Sequence, residues 1–458
     1  MIIIEILDSI DSRILTEHAE TIAPLLTCKK EYWRQGTFGS RKRSEYDKTF
    51  FNTKRRDYCY FWTGFIPKIQ EYLFENHIPC TIINKIVNPM EFEDPILPIT
   101  LRKDQLALLT NIKDSCRGIV LSPTGSGKTE IQMGLISSLP EDTKILFLSY
   151  STSINKQTAD KIIKYGLGKV QLIGGNNKFD NFYGNIVVST IQSITKIDPK
   201  EYIEYFDAVI IDEAHHIRAN GTQYIKVLSH LDCPIRVGFT ATLPTDKESL
   251  LTMEGLVGPV IGELSRNDAI EKGIIAMPKV RLIKLPYNHD IKEKRTYFDV
   301  YQRGIVENNT RNRLICQTAK QYINEGLTVI ILINRIEHGE ELKRLCDVVF
   351  RINAKFIYGE TEQDERETVK QDFINGDIDC VIASSAWGEG INIPTVNVMI
   401  NAAGGKDELR VLQHIGRVLR KTESKDSALV IDFFDPSHHY LINHFGSRVT
   451  LYMDEGWL

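Results

Sequence analysis

GIVLSPTGSGKTE, residues Gly118–Glu130, joins a short apolar run to a glycine-rich loop and then to a helical pattern. The apolar run has the length and composition of a buried strand. Glycines at Gly125 and Gly127 let backbone N–H groups converge on phosphate oxygens, which side chains would obstruct. The segment therefore predicts a phosphate-binding loop between a strand and a helix.

The residue types in and around this loop fit a bound nucleoside triphosphate. Lys128 is placed to reach the β- and γ-phosphates, and the Thr129 hydroxyl can ligate magnesium. A second apolar run ends in Asp212 and Glu213, and the carboxyl ends of parallel strands face the ligand crevice. We expect Asp212 to hold Mg²⁺ and Glu213 to orient and deprotonate the attacking water. The loop residues predicted to bind the nucleotide are Pro123, Thr124, Gly125, Ser126, Gly127, Lys128 and Thr129.

Short apolar runs alternate with amphipathic stretches along most of the chain, which is typical of βαβ units. One series is GIVLS, KILFLS, NIVVST, AVIID and RVGFT, and the second is TVIILI, KFIYG, CVIAS, VMINA and ALVIDFF. A proline-containing connector, NPMEFEDPILPI, precedes the first series and marks a boundary. We expect the α/β class: a small N-terminal α+β domain (1–93), with a helix near Phe65–Asn76, and two tandem parallel-sheet domains (94–262 and 263–458).

Charge is unevenly spread along the 458 residues, although the net charge is only −4. The stretch Lys29–Asp57 carries ten Lys/Arg and four Asp/Glu, an excess of six, which leaves −10 for the rest. Aromatic residues lie among these basic groups, and the combination favours contact with nucleic acid. The alternative is a solvated loop beside a small apolar core, in which Trp62 would be a core residue. The basic residues predicted to contact DNA are Arg41, Lys42, Arg43, Lys54, Arg55 and Arg56.

The eight cysteines are scattered and form no CxxC pair, which disfavours a zinc ribbon or an iron–sulfur cluster. The amino terminus lacks a basic leader, and no apolar run reaches the eighteen or so residues of a membrane span. We therefore expect reduced thiols, no membrane partner and a cytoplasmic location.

QHIGRVLR, Gln413–Arg420, lies in the last third of the chain. If the segment is helical, Gln413, Arg417 and Arg420 share one face. Arginines on a face are commonly a solvated surface, but in an ATPase they stabilise charge that develops on the transferred phosphoryl group. Arginines supplied by a second sheet domain would tie hydrolysis to domain closure, which is the basis of a motor.

In this order, the motifs along Ile99–Asp435 resemble those of the superfamily 2 helicases, which have two RecA-like domains. SPTGSGKT and DEAH match motifs I and II, and QHIGRVLR resembles motif VI. SYSTSINKQ resembles motif Ia, with Tyr150 where a proline is common. The remaining similarities are LRKDQ to the Q motif, STIQS to a backbone-contacting motif, FTATL to motif III and VIASSAWGEGINIP to motif V.

The resemblance implies a role for each matched residue and implies ATP and Mg²⁺ as cofactors. Gln105, Gly390 and Asn392 would contact the nucleotide, and Gln413, Arg417 and Arg420 would act at the γ-phosphate. His215, Thr240 and Thr242 would couple hydrolysis to strand binding, with His216 only a neighbour. Strand contacts are implied for Ser149, Ser151, Thr190, Gln192, Ser193 and Ser384.

Within the superfamily, four runs resemble the UvsW-like helicases of bacteriophages. The runs are NRLICQTAKQYINEG, NRIEHGEEL, IYGETEQDERE and LQHIGRVLRK. That family implies an ATP-driven DNA motor moving 3′ to 5′ that migrates Holliday junctions, reverses forks and unwinds R-loops or D-loops. It also implies work in phage recombination, replication and repair, inside the infected host cell and with other proteins of those processes. Residues 1–93 would engage duplex or branched DNA, ahead of a single-stranded track held by a monomeric motor.

Three alternatives remain open from the sequence. An RNA helicase of the DEAD/DEAH type shares these motifs. A duplex translocase of restriction systems would need a further nuclease or partner-binding module. A nucleotide-switched binding protein without motor activity is disfavoured by the full set of Lys128, Glu213, Arg417 and Arg420.

Overall fold

The computed structural model describes most of the chain and divides it into two compact units. The described residues are 1–35, 41–55, 57–86, 91–175, 179–275, 277–384, 396–405, 427–454 and 456–458. One unit comprises Met1–Ser122 and Gly127–Ser265, and the other comprises Pro123–Ser126 and Arg266–Leu458. Within the described ranges, no helix combines the length and the apolar character that a bilayer crossing requires.

The N-terminal domain is built on a mixed sheet with the order β5-β6-β2-β1-β7. Ile2, Ile4 and Ile6 of β1 point to one face and are buried, as the two-residue period of a strand requires. Helix α2 covers that core and confirms the helix predicted in this region. The elements are β1 (Ile2–Ile6), β2 (Asp11–Leu15), α1 (Ala19–Ile22), β3 (Thr27–Gln35), β4 (Arg41–Thr49), β5 (Phe51–Arg55), β6 (Tyr58–Trp62), α2 (Ile66–Glu75) and β7 (Cys80–Asn84).

The first parallel-sheet domain has the strand order β10-β11-β9-β12-β13-β8-β14. Its central strand β12 carries Val209, Ile210 and Ile211, which have no exposed surface because helices cover both faces. The elements are α3 (Lys103–Ser115), β8 (Arg117–Leu121), α4 (Lys128–Ser137), β9 (Ile145–Ser149), α5 (Thr152–Tyr165), β10 (Val170–Ile173), β11 (Ile186–Thr190), α6 (Ile191–Ile194), β12 (Ala208–Asp212), α7 (Thr222–Leu228), β13 (Ile235–Thr240), α8 (Lys247–Leu256) and β14 (Val260–Glu263).

The second parallel-sheet domain has the strand order β15-β20-β19-β16-β18-β17. The apolar runs predicted as strands form β16 to β20, and those of the first series form β8, β9, β11, β12 and β13. The expected α/β class with two tandem RecA-like sheets and a small α+β domain is therefore confirmed. The elements are α9 (Arg266–Glu271), β15 (Met277–Lys284), α10 (Tyr297–Tyr301), α11 (Asn309–Asn324), β16 (Val329–Ile333), α12 (Ile336–Leu345), β17 (Ala354–Ile357), α13 (Gln363–Asn375), β18 (Cys380–Ser384), β19 (Val398–Asn401), β20 (Ser427–Phe434) and α14 (His439–Asp454).

A polar cluster around the buried Ser9 joins the N-terminal domain to the first parallel-sheet domain. Ser9, in the turn between β1 and β2, donates from its N–H and its hydroxyl to Asp232 Oδ1, at 3.0 and 2.7 Å. Arg117 at the start of β8 donates to Ser9 O at 3.1 Å and to Val257 O at 3.0 Å. Burial, with a contribution from the charge of Arg236, lowers the pKa of Arg117 to about 9. Each of these bonds therefore satisfies a group that would be costly to bury unpaired.

Helix α8 also contacts the N-terminal domain. Lys30 Nζ lies 2.8 Å from Glu248 Oε1, and Lys68 Nζ lies 2.6 Å from Glu254 Oε2. Leu251, one turn after Glu248, is buried in the hydrophobic core of the N-terminal domain. One face of α8 is thus shared between two domains.

Two glycines of this contact lie too close to the opposite domain to carry a side chain. A Cβ on Gly64 would lie 2.1 Å from the carbonyl oxygen of Glu254. A Cβ on Gly255 would lie 2.4 Å from the Trp62 ring and 2.8 Å from the Phe65 ring. Trp62 is half-buried and packs against the cores of both domains, so in this structure it is a core residue.

Candidate nucleotide site and nucleic-acid contacts

The phosphate-binding loop connects the end of β8 to the start of α4. Gly125 and Gly127 have φ values of 88° and 89°, in the left-handed region that glycine adopts without strain. A Cβ on Gly127 would lie 2.5 Å from Gln105 Nε2, so a side chain there would displace Gln105 in addition to straining the backbone. Ser126 Oγ donates to Pro123 O at 2.6 Å and closes the loop. The first N–H groups of α4 face this loop and favour a bound phosphate.

Two side chains predicted to bind the nucleotide contact the loop backbone. Lys128 begins α4 and is buried, and its Nζ donates to Ser122 O at 3.1 Å. Gln105 is buried as well, and its Nε2 donates to Gly127 O at 3.2 Å. Its Oε1 accepts a hydrogen bond from the N–H of Arg102, the residue before α3. Thr129 follows Lys128 in the first turn of α4.

The carboxylate of Asp212 lies at the carboxyl end of β12, beside α4. Its Oδ1 accepts from Gln132 Nε2 at 3.0 Å. Burial and the neighbouring Glu213 charge raise the pKa of Asp212 to about 6, and the Lys128 ammonium opposes this shift. Gln132 was not predicted as a site residue, although its position one turn after Lys128 places it on the same helix face.

Glu213 and His215 connect this carboxylate region to β13. Glu213 has φ 49°, an uncommon conformation for a residue with a side chain. His215 is buried, and its Nδ1 lies 3.4 Å from Glu213 Oε2 and 3.1 Å from Thr240 Oγ1. Thr240 Oγ1 in turn donates to Thr242 O at 2.8 Å. A continuous set of contacts thus runs from the acidic turn to the segment after β13.

The turn after β9 contains two of the predicted strand contacts. Ser149 is buried, and its single hydroxyl hydrogen is shared between Asn155 Oδ1 at 2.6 Å and Ser151 O at 3.0 Å. The Ser151 N–H donates back to Ser149 Oγ at 3.2 Å. In this structure Ser149 stabilises the turn, whereas Ser151 is half-buried.

The turn after β11 is organised in the same way. Thr190 is buried and caps α6, because its Oγ1 accepts the N–H of Ser193 at 3.3 Å. Gln192 and Ser193 are half-buried. The hydroxyls of Thr190 and Ser193 lie 2.9 Å apart, so both side chains are ordered by the cap.

The remaining predicted residues lie in the second half of the chain and in the N-terminal domain. Ser384 ends β18 and is buried. Arg41, Lys42 and Arg43 belong to β4, which pairs with β3 from Thr27↔Thr49 to Gln35↔Arg41. Lys54 and Arg55 belong to β5. The predicted residues outside the described ranges are Arg56, Gly390, Asn392, Gln413, Arg417 and Arg420.

Two family models match the chain. The model described as "Type III restriction enzyme, res subunit" matches residues 98–245. The model described as "Helicase conserved C-terminal domain" matches residues 311–422. The first match contains the phosphate-binding loop and the Asp212–Glu213 turn, and the second contains the Gln413–Arg420 segment.

Fold, site and family matches together place the chain among the superfamily 2 helicases, as an ATP-dependent enzyme that acts on nucleic acid. The chain is similar to the ATP-dependent DNA helicase uvsW of enterobacteria phage T4, with 28% identity over 74% of this chain and 72% of that protein. It is also similar to the DNA 3′-5′ translocase XPB2 of Sulfurisphaera tokodaii, with 26% identity over 73% and 83% of the two chains. The structure of S. cerevisiae Dbp5 bound to RNA and ADP BeF3 shares the fold, with a TM-score of 0.57, 19% identity, and coverage of 78% of this chain and 88% of that chain.

Proposed function

We propose that the protein is a DNA helicase and translocase, moving 3′ to 5′, that remodels branched DNA. Its reactions would be branch migration of Holliday junctions, fork reversal and the unwinding of R-loops or D-loops in phage recombination, replication and repair. The similarity to uvsW and to the XPB2 translocase supports DNA as the substrate. We expect a monomer that works in the cytoplasm of the host cell with other replication and recombination proteins.

The nucleotide site supports ATP hydrolysis assisted by Mg²⁺. Thr129 and Asp212 offer the hard oxygen ligands that Mg²⁺ prefers. The raised pKa of Asp212 marks a partly desolvated carboxylate that a nearby cation would keep ionised. When bound, Mg²⁺ would neutralise phosphate charge, and these two residues would hold it. Lys128 would bind the γ-phosphate and Glu213 would deprotonate the attacking water, while Gln413, Arg417 and Arg420 would stabilise the transferred phosphoryl group.

The docking of the N-terminal domain is the observation that carries the proposal of a branched substrate. Ser9, Asp232 and Arg117 form a hydrogen-bonded network, and α8 contributes two ion pairs and a shared hydrophobic face. The basic strand β4 is therefore attached to the same compact unit as the turns that contain Ser151 and Gln192. A motor with two DNA-contacting regions fixed on one unit would grip two arms of a junction at a defined separation. Linear single strands offer no second arm.

Each of the three predicted domains would have a separate task. Residues 1–93 would engage the duplex or junction, residues 94–262 would bind ATP and the tracked strand, and residues 263–458 would supply the arginines of motif VI. The excess of six positive charges in Lys29–Asp57 would attract the second arm through its phosphates.

A triple substitution, Arg41→Gln with Lys42→Gln and Arg43→Gln, tests the proposal better than deletion of the domain. Deletion would expose Leu251, which the N-terminal domain covers. In the triple variant we expect the affinity for forks and Holliday junctions to fall at least about tenfold at 0.1 M salt, because three phosphate contacts are lost. The rate of ATP hydrolysis at saturating single-stranded DNA should stay at the wild-type value.

The matched control removes three exposed lysines from the second parallel-sheet domain, Lys272→Gln, Lys279→Gln and Lys292→Gln, and should leave junction affinity unchanged. Equal loss of affinity for single strands and junctions would contradict the assignment of β4 to the second arm. Stronger stimulation of the wild type by single-stranded RNA than by forked DNA would favour an RNA helicase. Unwinding that persists in Glu213→Gln would contradict the mechanism of hydrolysis.

A further inference from the structure

Tyr150 has a contact that its position in the helicase motif does not explain. The residue lies between Ser149 and Ser151, and about half of its side chain, 47%, is exposed. Its ring nevertheless stacks on the imidazole of His216, with ring centroids 4.6 Å apart and an angle of 13° between the planes. Such a parallel arrangement at contact distance is a specific aromatic pair and not a chance neighbour. His216, expected to be only a neighbour of the coupling histidine, thus has a partner of its own.

The imidazole of His216 is uncharged, and an uncharged ring favours this stack. Burial and the adjacent His215 lower the pKa of His216 to about 4, so the ring is neutral at physiological pH. A neutral ring avoids burying an unpaired charge next to Tyr150. The stack in this structure is therefore one between a phenol ring and a neutral imidazole.

His216 also contacts His215, which in turn lies next to Glu213. The rings of His216 and His215 have centroids 4.3 Å apart. His215 Nδ1 lies 3.4 Å from Glu213 Oε2 and 3.1 Å from Thr240 Oγ1. Tyr150 is thus separated from the proposed general base by two imidazole rings in contact with each other.

The other end of this set of contacts is the turn after β9. Two hydrogen bonds between Ser149 and Ser151 restrain the backbone on both sides of Tyr150. A displacement of Ser151 by a bound strand would therefore move the Tyr150 ring as well. Glu213 at the far end has a left-handed backbone, a conformation that persists only when its surroundings hold it. A side chain that shifts His216 can therefore change the orientation of Glu213.

We propose that Tyr150 is a positioning residue, whose ring transmits strand binding at the Ser149–Ser151 turn through His216 to Glu213. Its function is to set how strongly nucleic acid stimulates ATP hydrolysis. The inference rests on the proposed function, because it takes Glu213 as the general base and Ser151 as a strand contact. It adds a residue, Tyr150, and a route that the general helicase motifs do not contain.

The test compares Tyr150→Ala with Tyr150→Phe, which keeps the ring and removes only the hydroxyl. ATP hydrolysis is measured with and without forked DNA, and DNA affinity is measured separately. In Tyr150→Ala, the ratio of the DNA-stimulated kcat to the unstimulated kcat should fall about three- to tenfold, equivalent to about 0.7–1.4 kcal/mol. The KM for ATP and the Kd for DNA should not change, and Tyr150→Phe should retain the wild-type ratio. Tyr183→Ala, an exposed tyrosine of the same domain, serves as the matched control.

A double-mutant cycle of Tyr150→Ala and His216→Ala tests whether Tyr150 acts through His216. If the ring acts through His216, the double variant should be no worse than the more impaired single variant. Additive losses would overturn the inference. It would also be overturned by a loss of kcat that is equal with and without DNA, by a higher Kd for DNA as the sole change, or by a defect in Tyr150→Phe as large as that in Tyr150→Ala.

These outcomes are separate from the failure of the proposed function. If the wild type is stimulated by RNA and not by DNA, the proposed substrate is wrong, and the same comparison of variants is made with RNA. If turnover survives Glu213→Gln, the assignment of the general base is wrong and the route has no catalytic end point, which overturns the inference as well.

Discussion

His338 in the second parallel-sheet domain is a buried imidazole held in its neutral form. Its Nε2 lies 2.9 Å from Asn312 Oδ1, a contact that joins α12 to α11. Burial, helped by the charge of Arg311, lowers its pKa to about 3. The free side chain has a pKa near 6.5, so the unfolded chain binds a proton at pH values where the folded domain does not. Acid therefore favours unfolding through this residue.

We expect the wild-type domain to lose about 2 kcal/mol of unfolding free energy through His338 between pH 8 and pH 5. The loss begins as pH falls below about 6.5 and would continue down to about pH 3. In His338→Gln, the decrease between pH 8 and pH 5 should be smaller by that amount, whatever the stability at pH 8. Urea unfolding at a series of pH values provides the measurement. His289→Gln, an exposed histidine of the same domain, should keep the wild-type pH dependence, and an unaltered slope in His338→Gln would show that the imidazole titrates freely.

Site residues differ in how far the sequence could reveal them. Lys128 and Asp212 follow from short motifs, because the loop and the strand end that carry them are local features. Gln132 was missed, since a glutamine on a helix becomes informative only when the carboxylate opposite it is known. Ser9 and Asp232 are 223 residues apart in the chain, and their hydrogen bonds depend on how two domains dock.

Strands could be predicted from the sequence where both of their faces are buried. Strands covered on both faces, such as β12, are continuous apolar runs that sequence reasoning identifies. The strands β10 and β14 have four residues each and contain polar or glycine residues. Their apolar runs are therefore too short to predict a strand. β15 alternates apolar and charged residues after a proline and pairs in the described structure with β20, so it lacked the apolar run that marked its neighbours.

Helix α8 is the element on which the N-terminal domain depends. Gly64 touches its last turn so closely that even a methyl group would meet a backbone carbonyl. We expect Gly64→Ala to lower the free energy of unfolding by about 1–3 kcal/mol, because the docked surfaces must separate to admit the methyl group. Thermal and urea unfolding of the full chain measure this change.

A matched glycine substitution separates crowding from loss of backbone flexibility. Gly446 lies in α14, with open space around the position of a Cβ. Gly446→Ala should leave stability unchanged or raise it by up to about 1 kcal/mol, as helix propensity predicts. If Gly64→Ala behaved in the same way, the close approach to α8 would not contribute to docking.

At the scale of the whole molecule, the N-terminal domain and the first parallel-sheet domain belong to one compact unit. Asp232 accepts two hydrogen bonds from Ser9 across their contact. We expect Asp232→Ala to reduce hydrogen-exchange protection in β1 and β2 by about tenfold or more, because it leaves a buried N–H and a buried hydroxyl unpaired.

In Asp232→Ala, hydrogen exchange measured by mass spectrometry should show no change in β16 of the other unit. Asp142→Ala, which removes an exposed carboxylate from the first parallel-sheet domain, is the control and should leave β1 at the wild-type rate. Unchanged protection of β1 in Asp232→Ala would mean that the N-terminal domain folds independently of its neighbour.

The close backbone contact between Gly64 and α8 also limits how such enzymes can exchange parts during evolution or in the laboratory. A contact made by long side chains tolerates a different partner, whereas one made by two backbones at van der Waals distance does not. A chimaera that receives this N-terminal domain would therefore have to receive residues 247–256 with it. The portable module is the domain together with a helix that lies more than 150 residues further along the chain.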